Sequence, residues 1–301
     1  MSDVTQPAAG TDRDRTPAEN AQLALLLEVS GTPKPGNVDR HRDLDELRFE
    51  HFMAGAVGAA EGLRRAEAGD PVGVAFEEAV AGMATQQGGN TQFGCLLLLV
   101  PLVRAAATDD LSPAGVSEIV AATTVDDAVQ FYRAFEHVDV AVGDPPPDAD
   151  ALDVRRGAAA ASTLRERELS LAAIMELAAD PAEGVPDGNA REWVTGFDRA
   201  FTAADTVLAD EGPIGDRTAR LFLDLLAAQP DTLVATTHDA ATAREVSQRA
   251  ATVAERVAAD GDLTAAEELA AEFVDAGYNP GTTADLTAAA LFIALERGLS
   301  V

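Results

Sequence analysis

Lysine is almost missing from this sequence: one lysine, Lys34, stands beside 21 arginines. Basic residues are scarce as a class, 22 against 51 acids, which gives a formal charge of −29 and a pI near 4.2. Nucleic-acid backbones and anionic membrane surfaces both select for positive charge, so such a surface excludes them as partners. A single cysteine, Cys95, rules out an intramolecular disulfide and any Cys-rich metal site. It reads as small apolar filler in a Leu-rich helix. The longest apolar run, Cys95 to Val103, contains Pro101 and is too short to span a bilayer. Residues 1–15 are polar, lack the apolar stretch of a secretory signal, and read as a disordered tail on a cytoplasmic chain. What is present is 301 residues, 47% of them apolar, with regular Leu/Ala/Val spacing, the composition of a packed protein. An acidic coat with lysine purged suits a protein kept soluble in concentrated salt.

Helix punctuation is legible along the chain. Thr16-Pro17-Ala18-Glu19 is a capping box with proline at the first helical position, opening a helix to about Val29. Asp43-Leu44-Asp45-Glu46 repeats the pattern before a helix to about Ala68. Asp70-Pro71, Ser112-Pro113, Thr124-Val125-Asp126-Asp127 and Thr264-Ala265-Ala266-Glu267 start others. Further helices are expected near 91–107, 162–179, 189–210, 214–228, 239–259 and 283–297, with Gly277 and Gly298 as C-terminal stops. No convincing strand alternation exists; Val138 to Val142 is the best candidate and lacks a partner. Residues 139–155, with Gly143-Asp144-Pro145-Pro146-Pro147-Asp148, read as a long loop. The expectation is one large all-α domain over 16–301, with roughly ten or more helices.

Three polar loops carry the candidate chemistry. The first is Glu28-Val-Ser-Gly-Thr-Pro-Lys-Pro-Gly-Asn-Val-Asp-Arg-His-Arg-Asp43. Its prolines stiffen the loop, Gly36 permits close approach of a ligand, and Asn37, Asp39, His41 and Asp43 offer ligands for a divalent ion carrying phosphates. Glu28 sits where the helix dipole disfavours an acid. Lys34, the one lysine kept, lies in this loop, and its compact ammonium suits a phosphate. The second loop is Gln86-Gln87-Gly88-Gly89-Asn90-Thr91-Gln92, glycines running into a helix N-terminus. The third is Asn279-Pro280-Gly281-Thr282-Thr283-Ala284-Asp285, with Asp285 in the first turn of the helix that follows. His238 reads as part of a helix start, and His51 and His137 as helix-surface histidines. Trp193, Phe197 and Phe201 read as core on one helix face.

These three segments, in this order, resemble the triphosphoribosyl-dephospho-CoA synthase family. The resemblance implies an all-α transferase in which a ribose hydroxyl of dephospho-CoA attacks C1′ of the ATP ribose and adenine leaves. ATP and Mg²⁺ are then expected, with Lys34 as cation and Asp39, Asp43 and Asp285 as metal ligands. Glu28, Asp39 or His41 would be the base, and Gly36, Asn37, Gly89, Asn90, Thr91 and Asn279 would contact nucleotide or metal-bound water. Partners are then small molecules, ATP and a dephospho-CoA-like acceptor, with a homodimer as the candidate assembly. Two departures stand out. The family carries His-Lys after Asn90-Thr91, where this chain has Gln92-Phe93-Gly94, and its Arg-Gly-Glu motif survives only as Arg156-Gly157-Ala158. They leave open a different acceptor, hydrolysis of an N-glycosidic or phosphate bond, or a non-catalytic nucleotide-binding scaffold.

Overall fold

The helix signals carry over into the computed structural model, which describes residues 15–143, 145, 149–180 and 186–301. Residues 1–14 of the expected 1–15 tail, and Asp144 and Pro146 to Asp148 of the expected loop, lie outside the described residues. Among the described residues sixteen α-helices follow one another. They are α1 (Pro17–Ser30), α2 (Phe49–Gly58), α3 (Ala60–Ala68), α4 (Val72–Met83), α5 (Phe93–Ala106), α6 (Pro113–Ala121), α7 (Val125–Ala134) and α8 (Ala161–Glu166). Then come α9 (Leu171–Ala179), α10 (Gly188–Thr195), α11 (Asp198–Ala209), α12 (Ile214–Ala228), α13 (Thr232–Thr237), α14 (Ala240–Asp260), α15 (Thr264–Asp275) and α16 (Gly281–Glu296). Among the described residues there is no strand; one isolated bridge pairs Asp39 with Arg42. No helix of the described residues is long and apolar enough to cross a membrane.

The caps at Thr16, Ser112 and Thr124 form as their residue types dictate, the first and last with the reciprocal acid of a capping box. Gly277 and Gly298 stop their helices with φ of 73° and 97°. Three expected helices are broken. Asp43 caps nothing; its carboxylate accepts from Phe49 N at 2.9 Å, and the helix begins only at Phe49, pausing again at Ala59. At that pause Gly58 meets Gly82 backbone to backbone, where a Cβ would come within 2.2 Å of the Gly82 carbonyl. The 162–179 stretch parts at Glu168, with φ of 51°, and 189–210 parts at Gly196 and Phe197, both left-handed. Trp193, Phe197 and Phe201 therefore do not share one helix, although all three are buried. The irregular stretch after α7 holds 3-10 turns at Asp150–Leu152 and Val154–Ala160, which sequence periodicity does not reveal.

The centre of the main core is built on α5 and α16, apolar on almost every side and accordingly buried all round. α16 packs against α1, α5, α11 and α12, and a second core fills the space under α12 to α15. Pro101 inside α5 cannot donate to the Leu97 carbonyl. The Trp193 indole of α10 supplies that bond instead, Nε1 to Leu97 O at 3.1 Å, and so fixes α10 against the core helix. Trp193→Phe should strand a buried carbonyl and destabilise the fold by about 1–3 kcal/mol, read as a lowered urea midpoint at unchanged slope.

Candidate active site

Four segments meet beneath the N-terminal ends of α5, α10 and α16: the loop from Gly31 to Asp43 and those three helix starts. Gly36 explains the first contact. Its φ is +77°, and a Cβ there would lie 2.5 Å from the Tyr278 carbonyl and 3.0 Å from Pro280 Cδ. Close approach is indeed what this glycine permits, but what approaches is the backbone of the third loop, not a ligand.

Side chains then join the loops in a chain of defined polarity. Glu28 ends α1 pointing inward and forms an ion pair with Lys34, both nearly or fully excluded from solvent at 1% and 0% exposure. The same ammonium donates to Asn37 Oδ1 at 2.9 Å and lies over the Phe222 ring. Asn37 Nδ2 in turn donates to Asn279 Oδ1, also at 2.9 Å. Each partner dictates the next orientation: Lys34 can only donate, so Asn37 turns its oxygen to it and its NH₂ to Asn279. Asn279, partly exposed, is left presenting its own NH₂ as a donor. Burial raises the Glu28 pKa, and Lys34 pulls it back down. The lysine that the sequence offered to phosphate is turned inward, and the donor that reaches the rim is Asn279.

Asp285, in the first turns of α16, is the second centre. Its Oδ2 accepts from Asn189 Nδ2 of α10 at 2.8 Å and its Oδ1 from Cys95 Sγ of α5 at 3.2 Å. Gly94 lets α5 come this close, since a Cβ there would sit 2.0 Å from Asp285 Oδ2. Burial pushes the Asp285 carboxyl up to about 7, against the bonds from Asn189 and Cys95, and the nearby charges of Asp231 and Glu28 add to the rise. Cys95 is no mere filler: burial and the Asp285 carboxylate raise its thiol well above the ordinary range. Behind them Asp231 caps α13 and accepts from Thr283 N and Oγ1, each at 2.7 Å, pinning the start of α16.

The remaining sequence candidates fall outside this junction or serve the fold. Asp39 is fully buried and accepts from Thr32 Oγ1, Lys34 N, His41 N and Arg42 Nη1 at 2.8–3.1 Å, which closes the loop on itself. His41 contributes its backbone N–H to that closure while its ring is exposed. Asp39, Asp43 and Asp285 do not gather; among the described residues no group of three or more His, Cys, Asp or Glu could hold a metal. Asn90 accepts from Phe93 N at the start of α5, Gly89 has φ of 69° with open space around it, and Thr91 Oγ1, beside Gly55, is buried without a partner among the described residues. His137 pairs with Glu77 and His238 with the Gly277 carbonyl. Gly157 of the Arg-Gly-Ala remnant is packed against Glu136, just past α7. Asn189 and Cys95 are the site residues that the sequence reading missed. Asp187-Gly188-Asn189 was legible as a capped helix start, but nothing in one sequence pairs Asn189 with Asp285 across 96 positions.

Comparison with known proteins supplies the family. No curated protein matches the chain significantly. A crystal structure from Archaeoglobus fulgidus, assigned as a triphosphoribosyl-dephospho-CoA synthase, superposes with a TM-score of 0.66 at 25% identity, covering 84% of this chain and 100% of that one. The model of the ATP:dephospho-CoA triphosphoribosyl transferase family matches residues 14–300. With nearly its whole length matched, the chain belongs to that family, transferases that carry the triphosphoribosyl group of ATP to dephospho-CoA.

Proposed function

We propose that the transfer takes place at Asp285 and Asn279, with Asp285 as general base. In this reaction the oxygen of an acceptor ribose hydroxyl forms a bond to C1′ of the ATP ribose. The bond from C1′ to adenine breaks, adenine departs with the electron pair, and the hydroxyl proton passes to Asp285. The observation that carries the assignment is a partly exposed carboxyl at the meeting of three helix starts, bonded by Asn189 and Cys95 and raised by desolvation to about 7. A base is most effective when its pKa lies near the working pH, and burial supplies that match here. The ionised carboxylate also faces the positive charge that develops at the anomeric carbon.

Asn279 donates to a substrate oxygen, and Glu28, Lys34 and Asn37 are positioning residues that fix its amide. A triphosphate normally travels with Mg²⁺, which takes most of its ligands from phosphate oxygen and water. Asp39 does not fit a protein cage for it, since its carboxylate is engaged within its own loop, and the exposed Asp43 is turned to the start of α2 and does not gather with another carboxylate. The ion is therefore read as part of the Mg–ATP substrate.

The test is chromatography of adenine during incubation with ATP, Mg²⁺ and dephospho-CoA in high KCl. Adenine release that requires the acceptor, with kcat/KM rising with pH to a plateau above about 7, is the expected result. Adenine or phosphate release without acceptor would mean hydrolysis instead, and no adenine at all would overturn the reading.

A further inference from the structure

A cavity of about 270 Å³ lies beside this site, where the first turns of α10, α13 and α14 meet the end of α12. Its size is close to the lower end for small-molecule pockets. Its wall carries two arginines, Arg191 of α10 and Arg244 of α14, and the amide of Gln229. None of its described lining residues is acidic, in a chain with 51 acids. Neither arginine is ion-paired among the described residues, whereas many of the other arginines have an Asp or Glu partner.

A third arginine adjoins the wall, and it is paired with an acid. Arg199 is half-buried, its charge disfavoured by burial and by Arg191 and supported by Glu192 at 3.7 Å. With Gln229 oriented to satisfy its neighbours, its oxygen accepts from Arg199 Nη2 at 2.9 Å, and its side chain lines the cavity. Arg191 also borders a second cavity of about 310 Å³, shared through Pro186.

The cavity adjoins the catalytic junction. Gly188 lines it, donates its N–H to Thr232 Oγ1 at 3.0 Å, and packs so that a Cβ would lie 2.8 Å from Thr282 Cγ2. The next residue, Asn189, holds Asp285. The first turn of α10 thus touches the cavity through Gly188 and Asp285 through Asn189.

We infer that this cavity binds the condensed phosphate chain of a substrate, through Arg191, Arg244 and Gln229. Paired guanidinium forks suit phosphate oxygens and are not exchangeable for point charges. The inference rests on the proposed location of the transfer, since both substrates carry such a chain on the ribose that reacts: the triphosphate of ATP, or the diphosphate of dephospho-CoA. In concentrated salt the Debye length falls to about 3 Å, so long-range attraction is screened and phosphate capture depends on direct contacts of this kind.

The test compares wild type with Arg191→Gln, Arg244→Gln and the double variant. Pyrophosphate and tripolyphosphate binding is measured by calorimetry in high KCl, with circular dichroism as the check on folding. Each substitution should weaken binding by about tenfold or more, and the double variant should abolish it. In turnover assays, a raised KM for ATP alone assigns the cavity to the triphosphate, and a raised KM for dephospho-CoA alone assigns it to the diphosphate. Arginine-to-lysine variants should recover part of the binding. Phosphate-chain binding that is absent from wild type, or equal in wild type and the folded double variant, would overturn the inference. Because this readout needs no turnover, it can fail while Asp285 catalysis stands, and it can hold if Asp285 is not the base.

Discussion

Asp285→Asn should lose about 10²- to 10⁴-fold in kcat and, above neutral pH, give a more stable protein. Both effects come from the same burial. In the unfolded chain this carboxyl ionises near 3.8, and in the fold at about 7. Between those values the native state still holds a proton that the unfolded chain has released, so stability falls as pH rises and is lowest above about 7. The full penalty is on the order of 4 kcal/mol at pH 8, at about 1.4 kcal/mol for each pKa unit. Asparagine carries no charge to desolvate, and its new NH₂ has a waiting acceptor, because Asn189 Oδ1 is buried without a partner among the described residues. Thermal unfolding at pH 5 and pH 8 reads the effect. The variant should match wild type at the lower pH more closely and exceed it at the higher. A variant that is no more stable at pH 8, or that keeps its turnover, would remove Asp285 from the role given to it.

Lys34→Met should destabilise the protein by about 3–5 kcal/mol, because it leaves Glu28 as a buried acid without its cation. Pairing it with Glu28→Gln removes both charges and should restore much of that loss, since replacing a buried pair costs far less than halving it. Activity should behave differently. Without the ammonium, Asn37 is free to turn its amide, Asn279 loses its fixed orientation, and KM should stay raised even in the stable double variant. Chemical denaturation gives the stabilities and steady-state kinetics the KM. Equal stability of Lys34→Met and wild type would mean that the buried pair contributes nothing.

Much of this was legible in the sequence, and the reason is local chemistry. Caps at Thr16, Ser112 and Thr124 need only neighbouring residues, so their helices began where the residue types placed them. The all-α class followed from the same signals. What was not legible depends on contacts far apart in the chain. The break at Gly58 exists because Gly82 passes against it, and the partner that Pro101 requires is an indole from residue 193. The site shows the same division. Glu28, Lys34, Asn37, Asn279 and Asp285 stood out in the sequence as unusual, but what each touches turned on burial, which inverts the obvious reading of a lone lysine beside polar residues. Asp39 looked like a metal ligand and is occupied by its own loop. Asn189 and Cys95 gave no signal, because an asparagine in a helix start and a cysteine in an apolar helix are both ordinary until Asp285 is placed between them.

Triphosphoribosyl transfer at the junction that holds Asn279 and Asp285 is tested most directly by a crystal structure with ATP and Mg²⁺. The ATP ribose is expected within hydrogen-bond reach of the Asn279 amide, with C1′ on the side of Asp285. A nucleotide bound with both residues untouched would contradict it.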